Sequence, residues 1–257
     1  MITSEDKARP AASAVFTLEE VLAATGGTLA RLGQATRFPG VTTDSRALAA
    51  GELFVAIRGD THDGHAFVGD AARRGAGAVV LERPLEEGAA LGNLAAFHRR
   101  RHRPRVVAIT GSNGKTTTKE MLAAILERAL GSGRVLRTTG TQNNLVGLPL
   151  TLLRLADADV VAVLELGMNG PGEIWRLAEI AEPDVGVVTC VSPAHLERLG
   201  SLHGVAEAKA ELYRRLRPSA TAVVNADDPL VTAAADAFPG RKVPFGTLGG
   251  VPVAAAG

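Results

Sequence analysis

An internal disulfide is closed to this chain, because it holds a single cysteine, Cys190. A chain without internal cross-links fits a reducing compartment, so a cytoplasmic location is expected. Neither sign of charge dominates. Lys and Arg number 28 against 27 Asp and Glu, a formal net charge of +1, so the molecule as a whole is no electrostatic partner for nucleic acid or an anionic membrane. No apolar run approaches the roughly 20 residues of a membrane span. The opening MITSEDKARPAASA has acidic residues where a secretory signal has an apolar core. Lysine itself is scarce: five (positions 7, 115, 119, 209 and 242) against 23 arginines. Where either cation would serve, the chain uses Arg, so a retained Lys carries information.

What the chain does have is apolar residues, 46% of 257, in a length that suits one large domain or two modest ones. Residues 1–15 read as a flexible leader. TLEEVLAATGG then reads as a short helix: Thr17 can cap it, Glu20 stands three residues on as in a capping box, and Gly26 with Gly27 can end it. ELFVAI (52–57) reads as a strand, GHAFVGDAARRG as a helix stopped by Gly75, and AVVL (78–81) as a strand. Together they make a small α/β unit over 16–84. Residues 85–104 read as a join. Its basic cluster from His98 to Arg105 is short and has no interleaved aromatics, so it reads as a solvated helix end and not as a nucleic-acid patch.

From Arg105 the pattern changes. VVAI (106–109), VVAVL (160–164), VGVVTC (185–190) and AVV (222–224) are short and continuously apolar, as strands buried on both faces of a parallel sheet are. Between them, KEMLAAILERAL puts Met121, Leu122, Ile125, Leu126 and Ala129 on one helical face. The expected fold is α/β, a small N-terminal domain (16–84) followed by a doubly wound, mostly parallel domain (85–257). Ligands of such sheets gather at the carboxyl ends of the strands. Each of the four strands is followed there by polar candidates: Gly111–Thr117, Glu165, His195, and Asn225 with Asp227.

VVAITGSNGKTTTKEML (106–122) is strand, glycine loop, Lys-Thr and helix start, the context that a phosphate-binding loop requires. Gly111, Ser112, Asn113, Gly114, Lys115, Thr116 and Thr117 would form the cradle. Its two glycines let backbone N–H groups approach phosphate oxygens, and the helix offers its positive end. Lys115 would reach the outer phosphates and Thr116 would offer a hydroxyl to Mg²⁺. One glycine of G-x-x-x-x-G-K-[ST] is absent, Ile109 standing in its place. The alternative is a plain glycine turn with an exposed lysine. The scarcity of lysine argues against it, since a planar guanidinium replaces a compact ammonium poorly in a tight phosphate nest.

AITGSNGKTTTKE resembles the ATP loop of the Mur ligase family, which builds the peptide of bacterial peptidoglycan. TQNNLVGLPLTLL (141–153), LELGMNGPGEI (164–174), SPAHLERLGSLHGVAEAKAELY (192–213) and NADDP (225–229) follow in the family's order. GVTTDSRALAAGELFVAIRGDTHDGHAF (40–67) resembles the family's UDP-sugar-binding N-terminal domain, and NNLVGLPLTLL and ELGMNGPGEI are most similar to its D-alanyl-D-alanine-adding branch. The resemblance implies an ATP-dependent acid–amino-acid ligase. It would join D-Ala-D-Ala to UDP-N-acetylmuramoyl-tripeptide through an acyl phosphate, as a cytoplasmic monomer with no nucleic-acid partner. ATP would be the co-substrate and Mg²⁺ a Lewis acid and template.

The resemblance also implies roles. Lys115 would bind phosphate and act in catalysis with His195 and Lys209. Thr116, Glu165 and His195 would hold metal, and Lys209 is the lysine that the family carbamylates. Asn143 and Asn144 would contact the muramoyl-peptide, Asn225 and Asp227 the adenine or ribose, and Asp44, Ser45 and Arg46 the uridine nucleotide. Taken alone, Glu165 could be an ion-pair partner, His195 a structural histidine, Lys209 half of a helical Glu–Lys pair, and the Asn and Asp segments ordinary turns. The family's chain is longer, while this one stops at GTLGGVPVAAAG. The expectation is a chain truncated before the C-terminal ligase domain. Two alternatives stay open: a non-catalytic fragment that binds nucleotide or UDP-sugar, and another sibling ligase.

Overall fold

The structure is a computed structural model that describes residues 14–59, 62–82, 89–193 and 196–247. They form two compact units. One runs to Arg103 and takes in Leu145–Asp157, and the other holds Pro104–Asn144 and Ala158 onward. The sequence placed this division at 84/85. In the structure the described part of the join, residues 89–103, lies with the first unit, and the chain returns there once more.

The first unit comprises β1 (Phe16–Thr17), α1 (Leu18–Thr25), β2 (Arg37–Phe38), β3 (Val41–Thr42), β4 (Leu53–Ala56), a 3₁₀ turn (Gly64–Phe67), α2 (Val68–Arg73), β5 (Ala78–Leu81) and α3 (Ala89–His102). The capping box of α1 is formed: the Glu20 N–H donates to Thr17 Oγ1 at 3.2 Å and the Thr17 N–H to Glu20 Oε2 at 2.8 Å. Gly26 closes the helix at φ 65°. Strands β3, β4 and β5 pair in parallel over a core of Leu48, Phe54, Ala56 and Ala71.

Of the basic cluster at the end of α3, Arg100, Arg101, Arg103 and Arg105 are exposed as expected, but its first two members are not. His98 and Arg99 are 3% and 7% exposed, because α3 packs against α1 and against the returning segment. His98 Nε2 and the Leu155 carbonyl are 3.0 Å apart. Burial, which disfavours the imidazolium, pushes the His98 pKa down to about 4. The ring is therefore neutral at pH 7, and Nε2–H is the donor to Leu155. A run of basic residues does not reveal which of its turns another helix will cover.

The second unit begins with β6 (Arg105–Thr110), α4 (Lys115–Leu130) and β7 (Val135–Arg137). After α5 (Gly147–Leu152), in the returning segment, come β8 (Val161–Glu165), α6 (Glu173–Ala181), β9 (Val185–Val188), α7 (Leu196–Leu199), α8 (Leu202–Arg215), β10 (Thr221–Asn225), α9 (Pro229–Ala235) and β11 (Arg241–Phe245). The sheet order is β11-β10-β9-β6-β8-β7, with every pairing parallel. The sequence pattern found four of these six strands. β7 and β11 escaped it because β7 is three residues long and β11 is an edge strand carrying Arg241, Lys242 and Pro244. From β6 the chain crosses to the β7 edge and then works back through β8 and, beyond β6, through β9 and β10 to the β11 edge. Right-handed crossovers put the connections of the two halves on opposite faces, and the switch point falls at the carboxyl end of β6.

The core face of α4 differs from the expected stripe. Leu122, Leu126 and Leu130 pack with buried Ala123 against Ile109, Val135, Val163 and Val187. Met121 and Ile125 stay 62% and 63% exposed. The loop before α4 anchors its first turn and so sets its roll. That roll brings Lys119 and Ala123 nearest the strands.

Candidate functional site

Two glycines shape the loop between β6 and α4. Gly111 has φ 147° and Gly114 φ 80°, a region that side chains disfavour. A Cβ at Gly111 would lie 1.9 Å from Thr189 Oγ1, so a second loop presses on this one. That second loop, after β9, clasps it. The Ser112 N–H donates to the Cys190 carbonyl at 2.9 Å, Ser112 Oγ donates to the Ser192 carbonyl at 2.9 Å, and Asn113 Nδ2 donates to Ser192 Oγ at 3.1 Å. The sequence read residues 185–190 as one strand. The strand ends at Val188 because its last residues turn out to hold the loop.

Gly114 is the N-cap of α4 and no side chain caps the helix, so its positive end is left for an anion. Lys115 lies across the loop, its Nζ donating to the carbonyls of Gly111 at 2.8 Å and Ser112 at 3.3 Å. An open cleft of about 210 Å³ starts here. Gly111, Ser112, Lys115, Asn143, Asn144, the turn Leu166–Asn169, Glu173 and Lys209 line it.

Beneath Lys115 the end of β8 delivers Glu165, 3% exposed. Thr116 Oγ1 donates to Glu165 Oε2 at 2.8 Å and Asn143 Nδ2 donates to Oε1 at 2.9 Å. The strand-end Glu is thus drawn to the loop. Thr116 and Glu165 together present hard oxygen donors of the kind that Mg²⁺ takes, usually with phosphate oxygens and water completing the shell. The residues present fit that ion. Among the described residues no group of three or more His, Cys, Asp or Glu could hold a metal alone. His195, the expected third ligand, lies outside the described residues.

Lys209 comes from α8, 3% exposed. It makes no hydrogen bond or ion pair with any described residue. The helical Glu–Lys pair that could have explained it is not formed. Burial first, and the charge of Lys115 second, bring its pKa down to about 8. Its neighbour Glu211 has another task, accepting from the N–H groups of Gly172 at 2.7 Å and Trp175 at 2.9 Å at the start of α6.

Other expected site residues are placed differently. Asn225 Nδ2 donates to the Thr189 carbonyl at 2.8 Å, and Asp227 accepts from the N–H and Oγ1 of Thr247 at 2.7 and 2.9 Å. Both hold loops at the sheet edge and neither lines the cleft. Asp44 and Arg46, in the first unit, pair with each other at 2.9 Å. The Arg46 hydrogen bond takes the Asp44 pKa down to about 2. Ser45 between them is 5% exposed. Sequence reasoning assigned nothing to Lys119, Thr138, Ser192, Glu173 or Glu211. Of these, only Lys119 carried a signal, as one of the few lysines.

Comparison with known proteins agrees with the geometry. Residues 109–251 match the model of the Mur ligase middle domain, and residues 37–129 that of the Mur ligase family catalytic domain. The chain is 39% identical over 233 residues to the UDP-N-acetylmuramoyl-tripeptide–D-alanyl-D-alanine ligase of Synechocystis, across 85% of this chain and 51% of that one. It is similar to the crystal structure of MurF from Acinetobacter baumannii, with a TM-score of 0.82 and 34% identity over 90% of this chain and 53% of that one. It is also similar to MurF ligase from Thermotoga maritima in complex with ADP, with a TM-score of 0.73 and 34% identity over 81% of this chain and 50% of that one. The chain spans about half the length of the relatives it matches.

Proposed function

This chain belongs to the Mur ligase family, and from that premise we propose that it carries the nucleotide site of an ATP-dependent ligase that adds D-alanyl-D-alanine to UDP-N-acetylmuramoyl-tripeptide. The carboxylate of the tripeptide attacks the γ-phosphorus of ATP, giving an acyl phosphate and ADP. The amine of D-Ala-D-Ala then attacks the acyl carbon and expels phosphate. Such chemistry asks for positioning and charge compensation more than for a protein nucleophile. The glycine loop and the N-terminus of α4 hold the phosphates, and Lys115 leaves its two loop carbonyls to meet the charge on the outer ones. Thr116 and Glu165 hold Mg²⁺, which when bound neutralises phosphate charge and acts as a Lewis acid.

Lys209 is the observation that carries this reading. A simple phosphate-loop ATPase has no use for a second lysine on the same cleft, buried and with no hydrogen bond or ion pair among the described residues. With a pKa brought down to about 8, a substantial share of the side chain is neutral amine near neutral pH. That amine can add to carbon dioxide, giving a carbamate and a proton, and the anion so formed would suit a second cation. Asn143 and Asn144 face the muramoyl-peptide in this reading, with Asn225 and Asp227 near the nucleoside. Residues 16–84, through Asp44, Ser45 and Arg46, hold the uridine nucleotide. The enzyme acts as a cytoplasmic monomer. Among the described residues no helix is long and apolar enough to cross a membrane.

The test measures phosphate release from ATP with Mg²⁺, UDP-N-acetylmuramoyl-tripeptide and D-Ala-D-Ala. It uses this chain alone and this chain joined to the second half of a curated relative. The joined protein is expected to turn over. An inert joined protein sinks the ligase reading. Turnover by the joined protein alone favours the second reading of the isolated chain, a nucleotide-binding fragment.

A further inference from the structure

Three of the five lysines stand at this site, and the proposed chemistry uses two. The third, Lys119, is 1% exposed. Its Nζ donates to the Thr138 carbonyl at 2.8 Å, pairs with the half-exposed Glu120 at 2.9 Å, and lies 4.0 Å from Glu165 Oε2. Glu120 is shared with Arg137 at 3.6 Å. Thr138 closes a circuit, because its Oγ1 accepts the N–H of Glu165 at 3.0 Å. One ammonium thus ties α4 to the end of β7, and through Thr138 to the residue whose carboxylate it faces.

We propose that Lys119 is the resident counter-ion of Glu165: it balances and aims the carboxylate while no metal is bound, and makes capture of a divalent cation conditional on nucleotide. The inference rests on the reading of Thr116 and Glu165 as cation-holding groups. A dication that approaches Glu165 alone meets a like charge 4.0 Å from the carboxylate, with little water between to screen it. A nucleotide diphosphate brings negative charge from the cleft side and offsets that repulsion. The cation then enters with its phosphates and not before them. An arginine could not serve, because a planar guanidinium cannot converge on the Thr138 carbonyl and Glu120 as one compact ammonium does.

The experiment compares this chain with Lys119→Met and with the Lys119→Met/Glu165→Gln double variant, by thermal melting and calorimetry, with Mg²⁺ alone and with ADP plus Mg²⁺. The wild-type chain is expected to gain stability from ADP with Mg²⁺ and almost none from Mg²⁺ alone. Lys119→Met should melt several degrees lower without cation, recover on Mg²⁺ alone, and bind Mg²⁺ on the order of tenfold more tightly. The double variant should regain part of the lost melting temperature and lose the response to Mg²⁺, since removing both charges is milder than orphaning one. Lys119→Met melting lower by the same amount with and without Mg²⁺ overturns the inference and leaves the nucleotide reading standing. A wild-type chain that gains nothing from ADP with Mg²⁺ overturns the nucleotide reading, and this inference with it. If Lys119→Met does not fold, a folded double variant supports the pairing, and an unfolded one overturns it.

Discussion

Two lysines of the second unit are buried to nearly the same extent, Lys119 beside Glu165 and Lys209 on the cleft, and they live in opposite surroundings. Lys119 has a carbonyl, a carboxylate at hydrogen-bond distance and a second carboxylate just beyond. Lys209 has no bonded partner among the described residues and a second lysine for company. Burial of a charge disfavours it unless partners return what water supplied. Around Lys119 such partners stand. Around Lys209 they do not, so the ammonium sheds its proton readily and the amine is open to chemistry. The Asp44–Arg46 turn of the first unit is a third case. Its charges are exposed and satisfied by each other, which leaves it the least committed of the three.

The comparison breaks most visibly at Lys115, which supplies part of the pressure on Lys209 and, in the proposed reading, the charge for phosphate. Lys115→Ala is expected to abolish ADP binding by calorimetry, a loss of about 2–5 kcal/mol of the kind seen when one member of a close charge pair is truncated. Unchanged affinity would take this loop out of the site.

Lys209 gives a pH signature. Its folded pKa of about 8 lies below its usual 10.5, so between those values the unfolded chain binds more protons than the folded one, and stability rises with pH. The strain of about 3 kcal/mol is fully present below pH 8 and relieved as pH climbs toward 10.5. Denaturant melts across that range should show the rise in the wild type and not in Lys209→Met. Bicarbonate should relieve the same strain at lower pH, with a carbon dioxide mass increment on Lys209.

The smallest effect belongs to the turn. Asp44→Asn should cost less than about 1 kcal/mol in melts, as exposed ion pairs do, while weakening uridine-nucleotide binding in a titration. A large loss of stability would mean that the turn is structural.

Much of the sheet was legible in the sequence because its signals are local. The four apolar runs became strands, and the glycine loop sits between strand and helix as its spacing implied. The Thr17–Glu20 box caps α1. Glu165 and Lys115 could be singled out because each stands at a strand end or a loop, where position alone suggests exposure to a ligand. The roll of α4 was not legible, since Met121 and Ile125 are as apolar as the residues that face the sheet. Nor was the clasp of Ser192 on Ser112, which joins loops 80 residues apart.

By itself the sequence determined where backbone conformation is special and which runs can be buried, since positive φ at glycine and apolar continuity depend on near neighbours. Only the tertiary structure decided which charges go inside. Lys119, Lys209 and His98 sit in stretches that look solvated on paper, and each is covered by an element distant in the chain. The energy of a buried charge depends on what surrounds it in space, so a lysine's task as anchor or reactive amine is written in its neighbours.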